Sequence, residues 1–142
     1  MKIEIINIKL QDCINILDKL PLMGLKSIHR TRLRDRLITE IERVSKEERQ
    51  LKEEHSNKDE EGNPIINDAS YDIKDIEEFQ QVMKGFYKEK VIIDGGDSQV
   101  YLKSVKQSLE DVEVEWSGKE ANDYAYLYDA FINTKGDKED SE

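Results

Sequence analysis

The apolar residues at the start of the chain alternate first and then repeat at helical spacing. Ile3 and Ile5 alternate with more polar positions and predict a short edge strand. A helix is predicted next, over about 9–20, because its apolar residues lie three or four positions apart and share one face: Leu10, Cys13, Ile14, Leu17 and Leu20. Pro21 and Gly24 predict its end.

A long helix is predicted after this break, with Ser27 as its N-cap and its end near His55. Opposite charges four residues apart, such as Glu42 and Lys46, predict a solvated outer face. The apolar residues form a narrow seam typical of a coiled coil: Leu33, Leu37, Ile41, Val44 and Leu51. So narrow a seam needs a partner helix, from this chain or from a second copy. Self-association through these five residues is therefore a prediction.

The segment after this helix is dense in turn formers and predicts a change of structure. Residues 57–64 cannot stay helical, and short extended pieces flank a turn at Asn67 and Asp68. Asp72 is the predicted cap of a third helix over 76–86. A short strand is predicted at 90–93, and we expect it to form one small β element with residues 65–73.

The last third of the chain predicts two further helices. A fourth helix should start at Asp97 or Ser98 and place Tyr101, Val105 and Leu109 on one face. Residues 112–116 alternate and favour either a continuation of that helix or an extended segment. Residues 117–120 have the spacing of a capping box, which predicts a final helix up to about residue 132.

These elements predict a mainly α fold with a minor β element. A long charged helix packs with shorter helices and carries a small β-hairpin-like insertion. We expect a single helical domain over residues 1–133, as the length of 142 residues suggests. Residues 134–142 contain no bulky apolar side chain, and we expect a disordered acidic tail there.

Charge is distributed unevenly along the chain. The formal net charge is −10, yet residues 1–36 hold eight Lys and Arg against four Asp and Glu. The remainder carries a net charge of −14. An acidic body repels phosphates, so we expect no direct contact with nucleic acid. The single cysteine excludes an internal disulfide, and we expect neither a signal peptide nor a membrane partner.

Five basic residues between positions 26 and 36 form the first candidate partner-binding surface: Lys26, Arg30, Arg32, Arg34 and Arg36. Arginine makes two-pronged hydrogen bonds, so this basic stretch could anchor a phosphate or an acidic protein surface. The alternative is that the same side chains pair with acidic residues of this chain or of a second copy.

Four aromatic residues near the C-terminus form the second candidate partner-binding surface: Trp116, Tyr124, Tyr126 and Tyr128. Tyr124 and Tyr128 share a helix face, and Tyr126 points elsewhere. Packing in the core and contact with a protein partner are both open, because aromatic side chains serve in either setting.

Catalytic and metal chemistry have little support in the sequence. Cys13 lies on the apolar face of the first helix, where a buried structural thiol is expected. The acidic turn at 57–68 matches a calcium loop poorly, because Pro64 replaces an apolar residue and Asp68 replaces the long bidentate Glu. We therefore expect a protein that is not an enzyme and has no cofactor and no metal.

The order of four segments resembles a known family. The segments are RTRLRDR at 30–36, KDEEGNPI at 58–65, EEFQQVMKGFYKEKVIID at 77–94 and SGKEANDYAYLYDAF at 117–131. They are similar to domain of unknown function 1617, a family of small proteins from phages and prophages of Gram-positive bacteria. The resemblance implies a phage gene near the tail or lysis modules, and it supplies no catalytic residues.

Two hypotheses of function follow, and both involve a protein partner. The first is a non-enzymatic accessory of virion or tail morphogenesis, bound to a phage structural protein. The second is an acidic inhibitor of a host protein that binds nucleic acid or defends against phages. Either protein would act in the host cytoplasm, and the first could also enter the virion.

Overall fold

The computed structural model describes residues 1–132, and the predicted tail at 134–142 lies outside them. The helices are α1 (Leu10–Lys19), α2 (Leu25–Glu54), α3 (Ile76–Lys88), α4 (Ser98–Asp111) and α5 (Gly118–Ile132). The strands are β1 (Lys2–Ile6), β2 (Ile66–Asn67), β3 (Ser70–Tyr71) and β4 (Lys90–Asp94). The predicted class, mainly α with a minor β element, is confirmed.

Strand pairing differs from the prediction. β4 pairs antiparallel with β1, with Ile3 opposite Ile93 and Ile5 opposite Val91, and these four side chains are buried. The pairing of residues 65–73 with 90–93 was therefore wrong. β2 and β3 instead form their own hairpin, since Asp68 and Ala69 both adopt positive φ (49° and 67°), the conformation of a tight hairpin turn.

The core lies between the β1–β4 sheet and four helices. α2 packs against α1 and α4, and α5 packs against α1 and β1. The largest fully buried helical side chains are Leu10, Ile16, Leu17, Leu33, Leu37, Leu102, Leu109, Leu127 and Phe131. The N-terminal half of α2 is therefore covered on its apolar face by helices of the same chain.

This packing corrects the predicted association seam. Leu33 and Leu37 are fully buried inside one chain, and Val44 is 9% exposed. Ile41 and Leu51 also pack partly against the same core. A second copy cannot reach the buried part of the seam unless the fold opens. Of the two predicted sources of a partner helix, this chain therefore supplies it for Leu33 and Leu37, and self-association through all five residues has no support.

Two predicted helix caps are also corrected. α2 begins at Leu25, after Gly24 with φ of 64°, so Ser27 lies inside the helix. The carboxylate of Asp75 accepts the backbone N–H of Glu78 at 3.1 Å and caps α3. Asp72 instead accepts a hydrogen bond from a side chain in the preceding loop.

The C-terminal half of α2 is joined to α3 by a segment that includes the hairpin. Ser56 bridges Ile73, which brings the chain back beside the end of α2. The Tyr87 hydroxyl donates to the Glu48 carboxylate at 3.0 Å, and the rings of His55 and Phe79 lie 5.5 Å apart. These contacts hold α3 beside α2 with a groove between them.

Candidate protein-binding surfaces

Arg30, in the middle of the predicted basic stretch, binds the end of α1. Its guanidinium donates to the carbonyl oxygens of Leu17 at 2.9 Å and Leu20 at 3.0 Å. It also donates to the hydroxyl of Ser27 at 3.3 Å. Carbonyls at a helix C-terminus lack partners within the helix, and a cation there is favourable. Arg30 therefore stabilises the α1–α2 connection and is not free for a partner.

Arg34 and Arg36 are likewise engaged within the chain. Arg34 pairs with Asp18 of α1, and Arg36 pairs with Glu40 one turn along α2 at 3.2 Å. Exposed pairs of this kind contribute little to stability, but they neutralise the positive charge of the stretch. The alternative of pairing within the chain thus holds for both residues.

Lys26 and Arg32 are the two members of the stretch that remain open. Both are exposed, and neither side chain forms a hydrogen bond or ion pair with any other residue of the described part of the chain. Arg32 shares a surface cleft with Val100 and Tyr101 of α4 and with the carboxyl-bearing Asp35 and Asp97. The basic surface is therefore smaller than the sequence indicates.

Large exposed apolar side chains are neighbours of these two cations, either along the chain or, for Val100, in the cleft of Arg32. The exposed fractions are 87% for Met23, 69% for Leu25, 49% for Ile28 and 58% for Val100. Leu25, Ile28 and Arg32 lie three and four residues apart and share one face of α2. We call the set Met23, Leu25, Lys26, Ile28, Arg32 and Val100 the basic corner. Clustered exposed apolar side chains with Arg and Met are typical of protein interfaces.

The aromatic residues form a stack against the core. The rings of Trp116 and Tyr124 are 5.5 Å apart, and those of Tyr124 and Tyr128 are 5.9 Å apart. The Tyr124 hydroxyl donates to the carbonyl of Leu109 at 2.5 Å, and burial raises the pKa of this tyrosine. All three rings are half-buried, so the core-packing alternative describes most of their surface.

Tyr126 points in another direction, as the helical spacing predicted. Its hydroxyl accepts the backbone N–H of Ile6 at 3.0 Å, at the end of β1. Burial raises the pKa of Tyr126, and the hydrogen bond from Ile6 opposes this rise. Tyr126 thus connects α5 to the strand and offers little surface to a partner.

A groove between α2 and α3 is a surface that the sequence analysis did not identify. It has a volume of about 590 Å³. Its lining combines apolar and acidic or amide side chains, and we call it the acidic groove: Glu47, Gln50, Leu51, Gln81, Val82, Gly85, Phe86 and Glu89. Leu51 had been assigned to the association seam. The spacing of Val82, Gly85 and Phe86 on one face of α3, with Glu89 directly after the helix, could have pointed to this surface.

The remaining chemical candidates are engaged in local structure. One carboxylate oxygen of Asp59 accepts the backbone N–H groups of Glu61 and Asn63, both at 2.9 Å, which forms the polar turn. Among residues 1–132, no three His, Cys, Asp or Glu side chains are grouped to hold a metal ion. Burial raises the pKa of the Cys13 thiol to about 12, so it stays protonated at neutral pH.

Comparison with known proteins gives no family assignment: no family model, curated protein or solved structure matches the chain. Within residues 1–132, no helix combines the length and apolar character required to span a membrane.

Proposed function

We propose that the protein is a phage-encoded accessory of virion morphogenesis, acting at the tail through protein–protein contacts and not through catalysis. The observation that supports contact with a protein is the basic corner. It leaves four large apolar side chains exposed beside Lys26 and Arg32, which make no ion pair with other described residues. Burial of such a surface stabilises a complex, and the cations orient it.

The phage origin and the tail come from the resemblance of four segments to domain of unknown function 1617. Such an accessory acts in the host cytoplasm during assembly and either remains there or enters the virion. The partner is then a phage structural protein. The half-buried aromatic stack of Trp116, Tyr124 and Tyr128 is a secondary candidate for the same partner.

The test is an in-frame deletion of the gene in an inducible prophage, with particles counted by electron microscopy. We expect heads without complete tails, and we expect the wild-type gene to restore the tails. Leu25→Asp should not restore them, because it places a charge in the basic corner. Ile76→Asp is the matched control, since Ile76 is also the exposed first residue of a helix. Normal numbers of tailed particles from the deletion strain would refute the proposal.

A second candidate function is inhibition of a host protein. It is favoured by the exposed acidic tip of the polar turn before the hairpin, formed by Asp59, Glu60 and Glu61, in a segment 37–142 whose net charge is −14. An inhibitor predicts early expression and a single host protein recovered by affinity capture. Reversal of the tip charges, with Glu60→Lys and Glu61→Lys, should abolish that recovery and leave tail assembly unchanged.

A further inference from the structure

We infer that copies of this chain associate head to tail, with the basic corner of one copy seated in the acidic groove of the next. The inference rests on the proposed function in one respect, since it takes the basic corner to be a protein-binding surface. It adds the identity of an occupant, a second copy of the chain. This contact differs from the predicted seam, of which it uses only Leu51.

The two surfaces lie at opposite ends of one rigid element. Leu25 belongs to the corner and Leu51 to the groove, and both are on α2. At a rise of 1.5 Å per residue they are separated by roughly 39 Å. One chain therefore cannot bring its own corner into its own groove, whereas two copies can do so without any change of fold.

The surfaces are complementary in charge. Lys26 and Arg32 of the corner have no ion-pair partner among residues 1–132, and the same holds for Glu89 of the groove. Glu47 forms an ion pair with Arg43 at 2.5 Å. Arg43 is not among the lining residues of the groove, and the lining contains no Lys or Arg. Opposite charges at the two ends favour this orientation over head-to-head contact.

The surfaces also match in apolar character. The corner offers three exposed apolar side chains on one short segment, Met23, Leu25 and Ile28. The groove has a volume of about 590 Å³ and is lined by the half-buried Leu51 and Val82, with the buried Phe86 beneath them. The nine residues from Thr134 to Glu142 carry a net negative charge, so the tail of the chain is a poor occupant for an acidic groove.

A corner-to-groove contact uses two different patches and is heterologous. Each added copy exposes one free corner and one free groove, so association does not stop at two copies. It continues to an open filament, or it closes as a ring if the rotation between neighbours permits. This distinguishes the proposal from a symmetric dimer, in which one patch meets itself.

The groove can be blocked without damage to the fold. Gly85 lines it, has a negative φ, and has no atom within 4 Å of an added Cβ. Gly85→Arg therefore fills the groove and places a cation in it. Gly85→Ala adds only a methyl group and is the matched control. Leu25→Asp blocks the corner, and Ile76→Asp is its matched control at another helix start.

The experiment is sedimentation velocity of the purified full-length chain and its variants, with circular dichroism to verify folding. For the wild type we expect the mass to rise with concentration beyond twice the 16.6 kDa of one chain. Leu25→Asp and Gly85→Arg should each remain monomeric, with association weakened about tenfold or more, or over 1.4 kcal/mol. Both controls should associate as the wild type does. Added salt should weaken association, because the contact includes screened charges.

The decisive arm is an equal mixture of the two blocked variants. Leu25→Asp retains a working groove and Gly85→Arg retains a working corner, so the mixture should form a complex of two chains and grow no further. Three results would overturn the inference: a monomeric wild type at about 1 mM, continued association of either blocked variant, or no complex in the mixture. A monomeric wild type with tail assembly still lost in Leu25→Asp would leave the proposed function standing with another partner. Head-to-tail association of the wild type together with normal tails after gene deletion would support the inference and refute the proposed function.

Discussion

Replacement of Arg30 tests whether the basic stretch stabilises the fold or serves a partner. Its guanidinium donates to the carbonyl oxygens of Leu17 and Leu20, at the end of α1, at 2.9 and 3.0 Å. Both carbonyls also accept a backbone N–H, from Leu20 at 3.3 Å and from Leu22 at 3.0 Å respectively. Loss of the guanidinium therefore weakens the helix end without leaving either oxygen unpaired.

The magnitude follows from these contacts. A hydrogen bond to a charged group contributes about 1.5–3 kcal/mol when it is well buried. Arg30 is half-buried and each carbonyl keeps a second donor, so we expect about 2 kcal/mol for both bonds together in Arg30→Ala. Arg30→Lys keeps the positive charge, but a single ammonium group lacks the planar guanidinium geometry that reaches both carbonyl oxygens. The loss of stability should therefore be about half as large, roughly 1 kcal/mol.

Urea unfolding, followed by circular dichroism, measures this difference. A loss of about 2 kcal/mol should lower the urea midpoint by about 1 M for a protein of this size. Arg32→Ala is the matched control, because Arg32 is exposed on the same helix and makes no ion pair with another described residue. It should change stability by less than about 0.5 kcal/mol. Equal effects of Arg30→Ala and Arg32→Ala would refute the structural role of Arg30.

Three further substitutions test buried or capping groups. Burial raises the pKa of Cys13 from 9.0 to about 12, so the thiol of the unfolded chain ionises first as pH rises. The free energy of unfolding of the wild type should therefore fall relative to that of Cys13→Ala between pH 9 and about pH 12, and parallel dependence of the two free energies on pH would contradict this. Lys119→Met should lower the melting temperature, because the buried Asp123 loses the cation that lies 2.8 Å from its carboxylate. A second substitution, Asp123→Asn, should restore most of the lost melting temperature, and no recovery in this double variant would contradict the pairing. Asp75→Ala should cost about 1 kcal/mol in urea unfolding, while Asp97→Ala, at a cap position without a side-chain bond, should cost almost nothing; equal costs would contradict the capping argument.

Local periodicity predicted the helices well because each helix buries a single face. The spacing of apolar residues predicted a first helix over about 9–20, and the structure places α1 at Leu10–Lys19. The last helix was predicted up to about residue 132, and α5 runs over Gly118–Ile132, the last of the described residues. The start of the long helix was predicted less accurately: Gly24 ends the preceding turn, so α2 begins two residues before Ser27.

Strand pairing could not be predicted in the same way, because it depends on contacts between distant residues. The alternation in β4 showed that Val91 and Ile93 share a face, but it carried no information on the partner strand. β1 and β4 are each five residues long and both contribute two buried side chains to one core. The hairpin at 66–71 closes on itself through Asp68 and Ala69, and so it has no edge paired with β4.

The partner-binding surfaces show why charge in a sequence overstates charge on a surface. Five cations lie between 26 and 36, but ion pairs and helix-end carbonyls engage three of them, and the acceptors come from α1 and from the next turn of α2. Arg34 finds Asp18 only because α1 and α2 pack together. The spacing of residues along the sequence does not predict ion pairs between distant segments. The sequence therefore could not show that Arg34 is paired and Arg32 is not.

The same helix that organises the core also separates the two surfaces that remain open. Helices α1 and α4 cover the apolar face of α2 around Leu33 and Leu37, which fixes the orientation of its free N-terminal corner. Beyond Val44 the helix continues with α3 at its side and forms the groove. Because one helix of 30 residues joins both surfaces, a head-to-tail array would repeat at about the 45 Å length of that helix. The distance between neighbouring copies and their relative orientation would therefore be set by helix α2, which is already formed in the single chain.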